Sequence, residues 1–245
     1  MKLAAFLIFL FILPVFLPQG NVLAQTDQTD SSYYEAAIRN AVVLYQQSEK
    51  DQARIMNGRQ YKPYTFPFVK GFPFFLTRQF SESSIIYDGG YYDHILLLYD
   101  EILELVILNK GVFIELINEK IEEFTIAGHK FYPLFKDSAN NLPTSGFYEI
   151  LYDGNIDVYK KEKKSIVDVL STTEGYQAEA VEKKFYYIKK DDRYYLVKKK
   201  ADLLKVLGDK KSEIQQYIRK NKLDIKRDKD NVLPKIATYY DQLTR

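Results

Sequence analysis

Acidic side chains concentrated in one short stretch are the first residues of this sequence that could do chemistry. Residues 88–104 contain five carboxylates, which are Asp88, Asp93, Asp100, Glu101 and Glu104. Glycoside hydrolysis requires two carboxyl groups held at a defined separation across a cleft. Acidic residues are also common at hairpin turns and on the outer face of a sheet, so we assign no catalytic residue. A hydrolase that uses acidic residues in 88–104 stays an alternative function.

Histidine and cysteine give little support to metal or nucleophilic chemistry. The chain has no cysteine, which excludes disulfides, thiolate catalysis and a lipid-modified N-terminal Cys. The two histidines, His94 and His129, lie at predicted turns or strand starts and do not match the spacing of zinc ligands. The sequence contains no nucleophile elbow, P-loop or dinucleotide-binding motif. We therefore predict no metal and no cofactor, and we predict that the protein is not an enzyme.

Aromatic residues are the strongest feature of the composition, with 21 Tyr and 16 Phe but no Trp. Tyrosines recur as adjacent pairs, and adjacent side chains of a strand point to opposite faces of the sheet. One ring of each pair can therefore enter the core while the other meets solvent or a ligand. The proline-containing segment 57–80 adds rings that either cover the sheet or form a ligand-binding lip. The candidate ligand or partner surface consists of Tyr91, Tyr92, Phe72, Phe74, Phe75 and Tyr194.

The first 24 residues have the pattern of a secretory signal peptide. Lys2 precedes an apolar run over residues 3–13, and small side chains before Gln25 predict cleavage there. The run is shorter than the ~20 apolar residues that span a bilayer. We predict an exported protein, periplasmic or extracellular and cell-surface associated, that is not a lipoprotein and keeps no integral membrane span after cleavage.

Positive charge is concentrated towards the carboxyl end of the chain. The whole chain has a formal net charge of +2, whereas residues 183–230 contain 17 Lys/Arg and 8 Asp/Glu. Interleaved charges of this kind are typical of a solvated face, and they also suit an anionic lipid surface. No nucleic-acid-binding motif accompanies them, so we predict no nucleic-acid partner.

Spacing of apolar residues and turn signals predicts four segments, 1–24, 25–56, 57–200 and 201–245. After the leader come a polar tail and a helix, with Ser32 and Glu35 at the spacing of a capping box. Residues 57–200 follow as an antiparallel β-meander, because connections of about two to four residues can only join antiparallel neighbours. We predict about nine or ten strands in a twisted sheet or partly closed barrel, with two to three C-terminal helices packed on it. The fold class is α+β, mainly β.

Several short motifs occur along the chain in an order that resembles a known group of proteins. They are Asn57-Gly58, Gly71-Phe72-Pro73-Phe74-Phe75, Tyr99-Asp100, Leu151-Tyr152-Asp153-Gly154 and Tyr239-Tyr240-Asp241. With its leader, the chain resembles uncharacterised exported β-rich proteins of Gram-negative bacteria of the Bacteroidota type. The resemblance implies export and a β-rich architecture, and it brings no activity or catalytic residue.

These observations together predict an exported, non-enzymatic module that has a binding or structural role at the cell envelope. Its partner is an envelope protein, a glycan or an anionic lipid surface. One alternative is a carrier that holds an apolar ligand inside a curled sheet. The hydrolase of residues 88–104 is the other alternative.

Overall fold

A computed structural model describes residues 34–42, 54–171 and 175–245 of the chain. The predicted leader and Ser32 of the predicted capping box lie outside these residues. The chain divides into two compact units, Met1–Ile38 and Arg39–Arg245. A first helix, α1, spans residues 34–42. None of the helices within the described ranges is both long enough and apolar enough to span a bilayer.

Twelve strands and three further helices make up the remainder of the described chain. The strands are β1 (Arg59–Gln60), β2 (Phe68–Lys70), β3 (Ser81–Tyr87), β4 (Gly90–Asp100), β5 (Leu105–Asn109), β6 (Phe113–Glu115), β7 (Ile121–Ile126), β8 (His129–Leu134), β9 (Gly146–Tyr152), β10 (Asp157–Ser171), β11 (Gly175–Lys190) and β12 (Arg193–Leu196). The helices are α2 (Lys200–Val206), α3 (Lys211–Lys220) and α4 (Lys229–Thr244). Short 3₁₀ turns lie at Arg54–Met56, Asn118–Lys120 and Gly208–Lys210.

All twelve strands belong to one sheet, with the order β1-β6-β5-β4-β3-β7-β8-β9-β10-β11-β12 and with β2 beside β11. Neighbours along this path are antiparallel, whereas β2 pairs with β11 in parallel. The predicted fold class, α+β and mainly β, is confirmed. The order departs from a simple meander where β7 pairs with β3 and not with β6, and where the short strands β1 and β2 pair with β6 and β11. The end strands β1 and β12 do not pair, so the sheet formed by the described strands is open.

Tight turns at two hairpins follow from residues that tolerate positive φ. Asp88 and Gly89 join β3 to β4 with φ angles of 52° and 75°. Asp191 and Asp192 join β11 to β12 with φ angles of 50° and 58°. Two-residue loops with both φ angles positive match the right-handed twist of antiparallel strands, which explains why short polar pairs are found there.

Two large cores lie along the sheet. Side chains from β3 to β9 form the first, and the rings of Tyr99, Phe124, Phe131 and Phe147 contact one another there at centroid distances of 4.8–5.7 Å. The second core lies between β10, β11 and the helices α2, α3 and α4, as the C-terminal apolar pattern predicts. Pro234 is the sixth residue of α4, so it lies past the first turn and removes one i→i−4 hydrogen bond from the helix.

The hairpin of β10 and β11 is much longer than its apolar residues predict. The sequence predicts strands at 156–160 and 184–189, whereas β10 has 15 residues and β11 has 16. Strand β9 pairs only with Val158 to Lys160 of β10. The outer part of the hairpin therefore extends past β9 and reaches β2 in the proline-containing segment 57–80, which we call the aromatic segment.

Candidate functional site

The six predicted aromatic residues do not form one surface. Phe75 and Tyr92 are buried in the first core. Tyr91 is half-buried on β4, and Phe74 packs against a small cluster around Tyr61. Phe72 lies under the side chain of Lys164, and Tyr194 lies beside an open cleft. Only part of the predicted set is thus placed where a ligand could touch it.

Tyr61, Tyr64 and the aromatic residues that follow are held on the end of β4 by Asp100. The Asp100 carboxylate accepts hydrogen bonds from Tyr61 and Tyr64 and from the backbone N–H groups of Ile102 and Leu103. Burial raises the pKa of Asp100, although these donors oppose the shift. Burial, followed by the nearby Asp100, also raises the pKa of Tyr64. Asp100 therefore accepts the hydrogen bonds that hold Tyr61 and Tyr64 against the end of β4.

The five carboxylates of 88–104 fall into two places. Asp88 pairs with Lys120, and Asp93 lies beside His94, both near the β3–β4 turn. The other three lie at or just beyond the far end of β4, roughly 23 Å from Asp93 and more than about 30 Å from Asp88 at a rise of about 3.3 Å per residue. They do not share a cleft with Asp88 and Asp93.

An ion pair joins the buried Lys161 of β10 to the half-buried Glu104 in the turn after β4. Lys161 Nζ lies 2.5 Å from Glu104 Oε1, and it also donates to the Phe147 carbonyl at 3.0 Å. Tyr99 donates its hydroxyl to Glu104 Oε2 at 3.0 Å. Burial lowers the pKa of Lys161, and Glu104 opposes that shift. The pair joins the hairpin to the first core.

Glu101 and Lys164 form a second ion pair, and it is buried; Lys164 lies three residues after Lys161 on β10. The nitrogen of Lys164 is 2.9 Å from Glu101 Oε2, and the Glu101 side chain is fully buried. The same nitrogen donates to the Phe74 carbonyl at 2.5 Å and lies 4.8 Å from the centre of the Phe72 ring. Lys164 thus connects the hairpin, the aromatic segment and the end of β4.

Three of the four lysines in 160–164, namely Lys160, Lys161 and Lys164, are therefore structural groups, although the run is typical of a solvated face. Lys160 follows the same rule, because its nitrogen lies 2.5 Å from Glu149 inside the protein. The signal that could have revealed them is the position of the run between Val158 and Ile166, two apolar strand residues. No cluster of His, Cys, Asp or Glu in the described part of the chain could hold a metal ion.

Glu162 and Glu182 lie beside these ion pairs, and the Lys184 nitrogen lies 3.4 Å from the first carboxylate and 3.0 Å from the second. Burial raises the pKa of Glu162 to about 7, and the neighbouring Glu101 and Glu182 add to the shift. The pKa of Glu182 is lowered, because hydrogen bonds from Glu162 and Lys184 outweigh its partial burial. Of the two carboxyl groups, Glu162 is therefore the one that keeps its proton up to about pH 7.

We expect Glu162→Gln to change how stability depends on pH. The folded protein holds the Glu162 proton up to about pH 7, whereas an unfolded Glu loses it near 4.5, so stability falls as the pH rises through this window. The amide removes that loss, and we expect the variant to be about 1 kcal/mol more stable at pH 8, after allowance for solvent screening. Urea denaturation at pH 5, 6, 7 and 8 measures this. Glu179→Gln, at an acid of the neighbouring strand β11, is the control; equal pH profiles for both variants would contradict the raised pKa of Glu162.

An open cleft with a volume of about 490 Å³ lies between the β11–β12 hairpin and α2. It is lined by Asn141, Lys190, Asp191, Tyr194, Tyr195, Leu196, Asp202, Lys205 and Val206. Burial raises the pKa of Tyr194, which is half-buried there. A second cleft of about 500 Å³ beside β1 and β6 is lined without any aromatic ring. The first cleft is therefore the better candidate for ligand binding, since it combines aromatic surface with polar groups.

Positive and negative groups around this first cleft balance, and two of them already form hydrogen bonds or an ion pair within the protein. Asp202 accepts hydrogen bonds from the backbone N–H groups of Lys198 and Lys199. Lys190 pairs with Asp209 at 2.7 Å. The other two charged residues of the lining, Lys205 and Asp191, are exposed. Sequence reasoning identified Tyr194 but missed the other lining residues, because α2 and the hairpin meet only in the folded chain.

No family model, curated protein or solved structure matches this chain. The resemblance to exported proteins of the Bacteroidota type therefore stays a prediction. The geometry of the cleft and of the ionic pairs is the available guide to function.

Proposed function

We propose that this protein is an exported, non-enzymatic binding module and that the cleft beside β12 takes a neutral saccharide. The cleft itself carries the proposal, because Tyr194 and Tyr195 line it together with amide, ammonium and carboxylate groups. A sugar ring presents an apolar face of C–H groups and a rim of hydroxyls, and tyrosine offers both an apolar ring and a polar tip. Two lysines and two aspartates in the lining balance each other, which favours a neutral ligand.

Export and an envelope location are supported by the leader-like pattern of residues 1–24. Glycans and glycan-bearing partners are abundant outside the cytoplasmic membrane. A saccharide ligand is therefore consistent with the place where we expect the protein to act.

Packing of the interior supports a binding module over the two alternatives. A carrier needs an internal cavity, whereas the centre of the first core is filled by ring contacts of 4.8–5.7 Å. A hydrolase needs carboxyls that reach substrate. Asp100 and Glu101 are fully buried, and Glu104 is engaged by Lys161 and Tyr99.

Removing the Tyr194 ring tests the proposal. We expect the purified protein to be retained on immobilised neutral hexose or N-acetylhexosamine oligosaccharides, and we expect Tyr194→Ala to weaken the best of these at least about tenfold. The physical reason is the loss of aromatic surface from the lining of the cleft. Calorimetric titration with the best-retained oligosaccharide measures the affinity.

Tyr91→Ala is the matched control, because Tyr91 is another half-buried tyrosine of the predicted surface but lies on β4. We expect it to bind with unchanged affinity. Lys205→Met, on the other wall of the cleft, supplies a second variant with an exposed side chain and little risk to folding. The proposal is overturned by a failure to retain any of these oligosaccharides, or by equal affinities of the Tyr194→Ala and Tyr91→Ala variants.

A further inference from the structure

Helices α2 and α3 and the turns beside them form a surface with an excess of positive charge. Residues 198–227 contain eleven Lys/Arg and four Asp/Glu, and ten of those eleven basic side chains are exposed. Among residues the structure describes, Arg227 is the one member of this basic group that forms an ion pair, with Asp224. We call these eleven residues and their neighbours the basic surface.

The acidic residues of the same stretch are mostly committed to other partners. Asp202 accepts two backbone hydrogen bonds, and Asp209 binds Lys190 and the Tyr240 hydroxyl. Asp224 accepts from the backbone N–H of Lys226 and pairs with Arg227. The basic side chains therefore meet little opposing charge on their own surface.

A groove between the two helices brings their lysines to one side. Its volume is about 320 Å³, and it is lined by Ala201, Leu204, Lys205, Lys211 and Gln215. Lys205 belongs to α2 and Lys211 to α3, so charges from both helices flank the same groove. Residues four apart share one face of a helix, which places Arg219 and Gln215 next in line after Lys211. Ile214 and Ile218 bury another face of α3 in the second core.

We propose that the basic surface docks on an anionic lipid bilayer, a partner recognised by charge and not by apolar contact. None of the large apolar side chains of 198–227 is exposed, so this surface offers no apolar side chain that a protein partner could bury on binding. Nine of the eleven basic residues are lysines, which act as point charges and do not form the planar bidentate fork of arginine. Many lysines spread over one surface suit the diffuse negative charge of phosphate-bearing headgroups.

Docking of this kind is reversible and sensitive to salt, because exposed charges are screened within about 10 Å at 0.1 M ionic strength. Lys205 lines both the groove and the proposed saccharide cleft. The bilayer surface would therefore lie beside the cleft, although docking itself does not depend on a bound saccharide.

Vesicle co-sedimentation tests the proposal with the purified protein. We expect binding to vesicles of phosphatidylcholine with about one-third phosphatidylglycerol, little binding to pure phosphatidylcholine, and at least a tenfold loss between 50 and 500 mM salt. The triple variant Lys200→Glu/Lys211→Glu/Arg219→Glu should reduce binding on the order of 100-fold. These three side chains are exposed, so the fold should tolerate the change, and thermal unfolding checks this.

A second triple variant separates the surface from net charge. Lys62→Glu/Lys110→Glu/Lys136→Glu changes the charge equally at exposed positions of the sheet and its loops, and we expect it to keep most of the vesicle binding. Equal losses in both variants, or no binding of the parent protein to anionic vesicles, would overturn the proposal. Equally tight binding to soluble polyphosphate would overturn the assignment to a bilayer. Tyr194→Ala should bind vesicles normally, so failure here and failure of the saccharide proposal can be told apart.

Discussion

Replacing Lys164 with Met is expected to lower the free energy of unfolding by about 3–5 kcal/mol. Glu101 is fully buried, and the Lys164 nitrogen at 2.9 Å is its ion-pair partner. Without that partner the carboxylate must stay charged in an interior that does not solvate it, or take up a proton. The Phe74 carbonyl also loses its donor. Urea denaturation at pH 7 measures the loss.

A double variant shows whether the cost comes from the orphaned charge. We expect Glu101→Met/Lys164→Met to return to within about 1 kcal/mol of the parent protein, since removing both charges abolishes the desolvation cost. Lys163→Met is the matched control, because Lys163 is the adjacent residue and is exposed; it should change stability by less than about 0.5 kcal/mol. A Lys164→Met loss below 1 kcal/mol, or no recovery in the double variant, would contradict this reading of the pair.

Most of the sheet could be predicted from local signals. Strand β7 spans Ile121–Ile126 as its apolar pattern predicts, and the Asp88-Gly89 turn is where the sequence places it. Short-range patterns cannot say which distant strand pairs with which, so the pairing of β7 with β3 was not predicted. The short strands β1 and β2 have two and three residues, too few to produce a period of their own.

The outer part of the β10–β11 hairpin was missed for a different reason. Lysine and glutamate are poor strand formers in isolation, and a run of them is usually solvated. Here three of the lysines pair with glutamates of other segments, two of them buried and one half-buried, so tertiary contacts decide the structure. Strand propensity contains no information about such partners.

The candidate site could be predicted only in part. Alternation along a strand predicts that one ring of a tyrosine pair is buried, and Tyr92 is buried while Tyr91 is half-buried. It cannot say which exposed ring borders a cleft. Tyr194 does so because α2 folds back beside β12, a contact between segments that no local pattern encodes.

Motifs that support the resemblance have structural roles in this fold. Gly71 lies against the backbone of Ala180 on β11, and a side chain at position 71 would collide with it. Tyr99 and Asp100 belong to the first core and to the anchor of the aromatic segment. Two further motifs, around Gly154 and Asp241, meet each other directly.

Gly154→Ala is expected to cost about 2–3 kcal/mol of unfolding free energy. An added Cβ would overlap Asp241 Oδ2 and lie 2.7 Å from Tyr152 Cε1. Asp241 is buried and accepts hydrogen bonds from the Asn155 N–H at 2.8 Å and the Tyr152 hydroxyl at 2.9 Å. The new methyl group must push α4 away from the β9–β10 turn and weaken both bonds. Urea denaturation measures the loss, and faster amide exchange in the last turns of α4 locates it.

Gly208→Ala provides the matched control for this effect. Neither glycine has a positive φ, and a Cβ at position 208 meets nothing within 4 Å. The two variants therefore differ in available space and not in backbone strain, and we expect Gly208→Ala to be neutral or slightly stabilising. If both variants unfold alike, the Gly154–Asp241 contact does not hold α4 on the sheet. If only Gly154→Ala is destabilised, the contact between α4 and the β9–β10 turn explains why this chain has a glycine at 154 and an aspartate at 241.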